Sequence, residues 1–397
     1  MVNKKIKFQN SLNGKTIDIP FNNDLELIDK LGKLLKSPLP FNVFIYFAPN
    51  PLITGNGRKL SNFKFFITKD RKFQSRKFDK ILIKALKKCK NYGFKTNLLM
   101  NNIMLGMVHD NKNLVSDIKI IQNYLEKLYK TKYLDRITIG NPYLLELINY
   151  EKFKNLEVKT SVNFQIKNAK TIEMLNIFYD NWLGKNRLTC VEIQKDLLRD
   201  LRALKEIRKK TKNKIKFSII INEGCITGCP YQIAHQVHAS TMPIEASSDF
   251  DKRFKFAVAK CKHVACSVPW KIFDSNWILP KHLKYYKNLI DEFKLTDRND
   301  STETILNTVK AYTTGKYNKE NLCELISLLN MENFLFPESI LSKDFFQKIT
   351  APKKLNDLYF KNLWKKLLDF NKKKNIKPFI KLKGLQKEKL HKFIGND

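Results

Sequence analysis

Residues 216–240 read KFSIIINEGCITGCPYQIAHQVHAS, an apolar run followed by a polar turn and two cysteines. The run at 216–221 has the continuous apolar composition of a buried parallel strand. Asn222, Glu223 and Gly224 then interrupt it. An apolar strand that ends in a polar, glycine-containing turn is where α/β proteins often carry their chemistry. The stretch therefore predicts a parallel α/β sheet with a functional site after residue 221.

Upstream of this stretch, strand-like and helix-like segments alternate at a spacing of about thirty residues, which is typical of parallel βαβ units. Residues 6–20 read as a short β-ribbon broken at Asn13-Gly14, and residues 24–35 as a helix. The further predicted strands are 42–47, 95–100, 135–139, 157–162 and 188–193, and the predicted helices are 77–91, 113–128, 171–179 and 196–210. Two more strand candidates, 263–267 and 293–297, follow the cysteines.

This count of strands predicts a TIM-like (β/α) barrel, complete or incomplete, and an open doubly wound sheet is the alternative. No strand is followed by a GxGxxG or GxxxxGK pattern, so no dinucleotide or P-loop site is predicted. We expect two parts, a barrel domain at 1–300 with the cysteine cluster and a helical, basic C-terminal extension at 301–397. In the extension, lysines at 372–374, 381 and 383 lie among aromatic residues, a pattern that suits nucleic acid but equally an ordinary solvated helix.

The chain of 397 residues is strongly basic, with 74 Lys and Arg against 38 Asp and Glu and a formal charge of +36. Such an excess predicts a polyanionic partner, and RNA is our candidate. The alternative is drift in composition, because the lysines are spread along nearly the whole sequence. No apolar run is long enough for a membrane helix and none opens the chain, so we expect a cytoplasmic protein with no membrane association and reduced thiols.

Seven cysteines are present, and four of them, Cys225, Cys229, Cys261 and Cys266, fall within about forty residues. Four thiolates suit an iron–sulfur cluster, and we predict one of the four-iron four-sulfur type. Zinc is the alternative, held either by thiolates or by Cys225 and Cys229 with His235 and His238. Inert, buried cysteines are the third interpretation. The Cys-x₃-Cys-x₂-Cys pattern of radical S-adenosylmethionine enzymes is excluded, because Gln232 occupies the third position.

Polar residues close the predicted strands and would meet at one mouth of a barrel. Glu192 and Glu223 are candidate catalytic carboxylates, and His235 and His238 are candidate acid–base groups or packing residues. Asparagines at 101, 141 and 163 also fall at strand ends, although such residues often act only as turn formers. No nucleophile elbow or HExxH pair is present, so the sequence gives no sign of a known hydrolase site.

The pattern NEGCxxxCPYxxxH at 222–235 resembles one branch of the U32 (collagenase-like) peptidase family. Further segments resemble the family in the same order, namely LRDL at 198–201, IRK at 207–209, WILP at 277–280 with the tyrosines at 285 and 286, FKLTDR at 293–298 and the segment 301–312. Asp297 stands where the family's segment has glycine. The resemblance covers about residues 95–325.

This resemblance implies a barrel protein whose family includes carriers of a four-iron four-sulfur cluster held by four cysteines. It implies oxygen-independent hydroxylation, or a related modification, of an RNA base or a small aromatic substrate, with an electron donor protein as a further partner. Cys225, Cys229 and one or both of Cys261 and Cys266 match the family's cysteine positions. Two other functions stay open, a non-catalytic RNA-binding protein with a structural metal site and a peptidase or other hydrolase.

Overall fold

The computed structural model describes residues 7–36, 38–50, 71–102, 114–183, 188–211, 215–241, 267–296, 298, 300–326, 334–351 and 357–376. Within this part of the chain, no helix is both long and apolar enough to cross a membrane.

Eight parallel strands close into a barrel, which confirms the predicted TIM-like fold. Around the barrel, each strand pairs with the next one in sequence, and the last strand closes the ring between β1 and β7. The barrel strands are β1 Thr16–Pro20, β2 Asn42–Phe47, β3 Lys95–Met100, β4 Arg136–Ile139, β5 Glu157–Thr160, β6 Leu188–Glu192, β7 Lys216–Ile220 and β10 Glu292–Lys294.

Helices cover the outside of the barrel and bury the outward-facing side chains of the strands in one continuous core. Because both faces of these strands are buried, β2 and β7 read as nearly continuous apolar runs. The helices are α1 Leu25–Leu34, α2 Arg71–Asn91, α3 Leu114–Tyr129, α4 Pro142–Leu147, α5 Ala169–Leu183, α6 Leu201–Thr211, α7 Gln232–Thr241, α8 Thr302–Thr314, α9 Phe345–Ile349 and α10 Asp357–Lys373.

Two further strands form a small antiparallel sheet outside the barrel, β8 Asn222–Ile226 and β9 Ser275–Trp277. The sequence predicted only a turn at 222–224, so β8 is an unpredicted element. Because Asn222 pairs with Trp277 and Ile226 with Ser275, the chain after β7 is held by a segment some fifty residues further on. This small sheet places the cysteine segment beside the carboxyl end of β7.

A second apolar cluster joins the C-terminal segment to the small sheet. Trp277 of β9 stacks on Phe345 of α9 at a ring-centroid distance of 5.9 Å and meets Phe336 edge-on at 6.0 Å. In α10, Phe360 and other apolar residues complete this cluster. Aromatic pairs of this kind contribute about 0.5–1.5 kcal/mol each beyond their burial. The described part of the C-terminal segment therefore packs on the small sheet through its apolar face.

One detail of the predicted architecture is wrong. The predicted β-ribbon at 6–20 is not formed, because the described residues 7–20 have a 3₁₀ turn at Asn10–Leu12 and a single parallel strand, β1. Helix α8, which follows the predicted boundary at residue 300, buries Ile305, Val309 and Tyr312 in the same core as the barrel strands. The candidate strand at 263–267 lies almost entirely outside the described residues, and Ser267 is not in a strand.

Candidate functional site

The loops at the carboxyl ends of the barrel strands form one face, and several predicted polar residues there have structural roles. Asn141 caps α4, because its Oδ1 accepts from the backbone N–H of Tyr143 at 2.8 Å. Asn222 joins the start of β8 to the segment after β10, since its Nδ2 donates to the carbonyl of Thr296 at 2.6 Å and its Oδ1 accepts from the N–H of Thr296 at 2.7 Å. These two residues are therefore explained by local hydrogen bonding.

The turn between Cys225 and Cys229 is fixed from two sides. Thr227 donates its hydroxyl to the carbonyl of Asp274 at 2.6 Å, and the backbone N–H of Gly228 donates to Oδ1 of Asp196 at 3.2 Å. Gly228 has φ of +69°, a left-handed conformation that other residues adopt only with strain. Both cysteines are half-buried, and neither forms a disulfide within the described part of the chain. The turn therefore presents two thiols on a rigid support.

A buried lysine lies beside the first of these thiols. The side chain of Lys195, only 7% exposed, approaches Oε1 of Glu223 with its Nζ at 3.3 Å and also hydrogen-bonds Cys225. Burial opposes the charged form of Lys195, but Glu223 and the Cys225 sulfur outweigh it and hold the lysine pKa above its usual value. The second carboxylate oxygen of Glu223, Oε2, is buried without a hydrogen-bond partner in the described structure. An ammonium group next to a thiol favours the thiolate, the form that binds metals.

Comparisons with known proteins found a similar sequence and several distantly similar solved structures. No protein-family model matches the chain. An uncharacterized protease of Methanocaldococcus jannaschii is 25% identical over 321 residues, which make up 79% of this chain and 83% of that protein. The solved structure of a U32 peptidase is 12% identical and covers 74% of this chain and 97% of its own, with a TM-score of 0.42.

The chain is thus similar in sequence to a protein named as a protease. A structure of the Plasmodium falciparum HPPK-DHPS protein with pterin and p-hydroxybenzoate is also similar, at 10% identity and a TM-score of 0.33, covering 74% of this chain and 48% of that one.

The predicted ligand set is described only in part. Cys225 lies on β8 and Cys229 just before α7, whereas Cys261 and Cys266 lie outside the described residues. Among the residues that are described, no group of three or more His, Cys, Asp or Glu side chains has the arrangement of a metal site. The four-cysteine set therefore stays a prediction.

The predicted acid–base residues lie in different surroundings. His235 is half-buried on α7, while the side chain of His238 on the same helix is outside the described set. Glu223 is at the mouth, beside Lys195. Glu192 is fully buried inside the barrel, where its carboxylate pairs with Lys294 at 3.0 Å and with Lys159 at 3.2 Å. Of the two predicted carboxylates, only Glu223 lies next to the thiols.

The inside of the barrel carries a network of six charged side chains that the sequence analysis did not identify. The interior charge network consists of Asp18, Arg136, Lys159, Glu192, Glu292 and Lys294, all buried. Lys159 lies at its centre, pairing with Asp18 at 3.3 Å and with Glu292, and donating to the hydroxyl of Ser218 at 2.8 Å. Three cations therefore balance three carboxylates within the ring of strands.

Charge pairing inside the barrel shifts the pKa values of its members in opposite directions. Burial alone would raise the pKa of Glu292, but Arg136 and Lys159 hold it well below the usual range. Burial raises the pKa of Asp18, and repulsion from Glu292 adds to this effect while Lys159 opposes it. The guanidinium of Arg136 also packs over the ring of Phe44 at 3.6 Å. The network thus keeps its charges by mutual compensation rather than by contact with water.

The sequence does contain a signal for this network. Charged residues interrupt short apolar strands, as in Ile17-Asp18-Ile19 and Phe293-Lys294-Leu295. In a closed barrel covered by helices, a charge in the middle of a strand has no solvent-exposed face available. Such interruptions therefore indicate charges inside the barrel once the fold class is known.

Proposed function

We propose that this U32 peptidase-like protein holds an iron–sulfur cluster at the mouth of its barrel. We further propose that it carries out oxygen-independent hydroxylation, or a related modification, of an RNA base or small aromatic substrate. The observation that carries the proposal is the pair of half-buried thiols, Cys225 and Cys229, on a rigid turn beside the buried ammonium of Lys195.

The chemistry of the donors fits such a cluster. Thiolates are soft ligands that favour iron–sulfur clusters or zinc over magnesium and calcium. Cys225 and Cys229 would supply two ligands, and we propose that Cys261 and Cys266 supply the other two. When bound, a four-iron four-sulfur cluster supplies one-electron transfer. The ammonium of Lys195, which hydrogen-bonds Cys225, would stabilise a thiolate at this ligand position.

Glu223 is our candidate for handling a proton at this site. Its Oε1 is engaged by Lys195, whereas Oε2 is buried without a partner among the described residues. A carboxylate oxygen in that position can accept a proton from a substrate group, which is the usual role of a general base. Glu192 is assigned no step, because Lys159 and Lys294 neutralise it inside the barrel and hold its pKa below the usual value against the effect of burial.

Metal analysis of protein purified without oxygen tests the proposal. We expect iron and acid-labile sulfide with broad visible absorbance, and a loss of iron in the Cys225→Ser and Cys229→Ser variants. Cys323→Ser is the matched control, because Cys323 is also half-buried but lies far along the chain, and burial raises its pKa to about 12. Stoichiometric zinc in place of iron would support the structural-metal alternative, and retention of iron in both variants would refute the ligand assignment.

A further inference from the structure

Four glutamine side chains meet above the ends of β5 and β6, and we call them the glutamine cluster: Gln165, Gln194, Gln232 and Gln236. The Nε2 of Gln194 donates to Oε1 of Gln165 at 3.4 Å and to Oε1 of Gln232 at 3.3 Å. The Nε2 of Gln165 donates to Oε1 of Gln236 at 3.4 Å. Gln232 and Gln236 are one turn apart on α7, so this helix lies with one face against the two strand ends.

The hydrogen bonds inside the cluster are weak and incomplete. Their lengths of 3.3–3.4 Å exceed the usual 2.9–3.0 Å for N–H···O bonds. Gln194 Nε2 also donates to Oδ2 of Asp196 at 3.1 Å, so two hydrogens serve three acceptors. Gln232 is only 9% exposed, yet its Nε2 is buried with no acceptor in the described structure. A buried, unpaired N–H is costly, so the cluster has hydrogen-bonding capacity that a ligand can use.

The backbone at Gln165 is also unusual. Gln165 has φ of +53°, a left-handed conformation that residues other than glycine rarely adopt. Its backbone N–H donates to the carbonyl of Val162 at 3.0 Å, which closes the 3₁₀ turn after β5. Strained backbone of this kind concentrates at functional sites. Here it places an amide side chain in the cluster.

The glutamine cluster adjoins the cysteine turn. The backbone N–H of Gln232 donates to the carbonyl of Cys229 at 3.1 Å. Asp196 binds the side chain of Gln194 through Oδ2 and the backbone of Gly228 through Oδ1. A ligand bound by the cluster would therefore lie next to the segment that carries the thiols.

We propose that the glutamine cluster binds the hydrogen-bonding edge of a nucleobase presented by single-stranded RNA. Glutamine amides offer a donor and an acceptor side by side, which matches the edge of a base. RNA is read in this way where its bases are unstacked and turned outward. The formal charge of +36 attracts the RNA phosphates. The contacts to the base edge therefore do not have to supply that attraction. This inference rests on the proposed function for its substrate, but the cluster itself is defined by hydrogen bonding alone.

The experiment compares RNA with and without bases. Binding of labelled single-stranded 12-mers of U, C or A, and of an abasic 12-mer, is measured by fluorescence anisotropy at fixed salt with the full-length protein. We expect Gln232→Met to weaken binding of at least one base-bearing 12-mer by about five- to tenfold, the size of a base-edge contact. Binding of the abasic 12-mer should not change. Gln347→Met is the control, because Gln347 is exposed and its side chain bonds Tyr285 instead.

Stability separates this role from a structural one. Gln232→Met removes one long hydrogen bond, from Gln194 Nε2 to Gln232 Oε1 at 3.3 Å, and Nε2 of Gln232 has no acceptor among the described residues. The melting temperature should therefore stay within about 2 °C of that of the native protein. Gln165→Met provides a second test of the cluster should the first variant fail to fold. Equal loss of binding for base-bearing and abasic RNA, or no preference of the native protein for bases, would overturn the inference. If the protein contains no iron, the proposed iron–sulfur cluster is refuted, but the RNA-binding result still stands. If iron is retained and RNA binding is unchanged in the glutamine variants, the role of the glutamine cluster is refuted and the iron–sulfur proposal still stands.

Discussion

Replacing Lys159 with methionine tests whether the interior charge network holds the barrel together. Lys159 is 0% exposed and pairs with three carboxylates, those of Asp18, Glu192 and Glu292. Methionine fills a similar volume but removes the central cation, which leaves three buried carboxylates facing two cations. Breaking a buried ion pair in this way costs about 3–5 kcal/mol. For a chain of this size the melting temperature should fall by roughly 4–6 °C.

The matched control is Lys95→Met on β3. Lys95 pairs with Glu157 at 3.5 Å, but its side chain is 48% exposed, so its removal should cost about 0–1 kcal/mol. Thermal unfolding followed by circular dichroism measures both variants. Equal losses of stability for Lys159→Met and Lys95→Met would refute the argument, because burial would then make no difference to the value of the charge.

A second substitution tests compensation within the network. In the double variant Lys159→Met with Glu292→Gln, two cations again face two carboxylates, so part of the stability should return. We expect a coupling free energy of about 1–3 kcal/mol between the two positions. The deficit of Lys159→Met should also shrink as the pH falls, because Asp18 already has a raised pKa and Lys159 is the strongest influence that lowers it. A deficit that grows towards acidic pH would contradict this account.

Three further predictions concern other parts of the molecule. Arg199 donates hydrogen bonds to the carbonyls of Trp277 and Phe273, and we predict that it holds β9 in place. Arg199→Met should therefore speed amide hydrogen exchange in β9 and lower the free energy of unfolding by about 2–4 kcal/mol, and unchanged exchange would contradict the prediction. Burial lowers the pKa of His282 to about 3, whereas an unfolded histidine titrates near 6.5, so the unfolded state binds the proton first. The free energy of unfolding should therefore fall by roughly 2 kcal/mol between pH 6.5 and 5, and His282→Phe should remove that part of the slope. Glu223→Gln should reduce the yield of modified nucleosides at least tenfold, as measured by mass spectrometry of digested RNA, while the melting temperature changes by less than about 2 °C. Full activity in this variant would show that Glu223 is only a turn residue.

Much of the barrel could be predicted because its strands are buried on both faces and read as apolar runs. The predicted bounds 42–47 and 95–100 agree with β2 and β3 at both ends. The helices were displaced by a few residues, as α2 begins at Arg71 and not at residue 77. The first strand was misread because Asn13-Gly14 favours a hairpin turn locally, whereas pairing with β2 and β10 decides its place.

The candidate site was predictable only where local sequence determines it. The positions of Cys225 and Cys229 after β7 follow from an apolar run and a polar turn. The pairing of β8 with β9 does not, because it joins segments about fifty residues apart and no local pattern selects the partner. Lys195 was also missed, since lysine is usually exposed and its burial arises from packing between the β6 loop and β8. The glutamine cluster likewise depends on how α7 lies over two strand ends.

The packing of Trp277 has a consequence for the order in which this protein becomes complete during synthesis. Cys225 lies on β8, β8 pairs with β9, and Trp277 of β9 rests on Phe336 and Phe345 from the C-terminal segment. The aromatic packing behind this strand pair is therefore completed only after residue 345 has been made, some 120 residues after Cys225. Chains are made at about 5–20 residues per second, so this packing follows the synthesis of Cys225 by several seconds at least. We expect a nascent chain truncated before residue 336 to pair β8 with β9 but to leave Trp277 without the rings of Phe336 and Phe345.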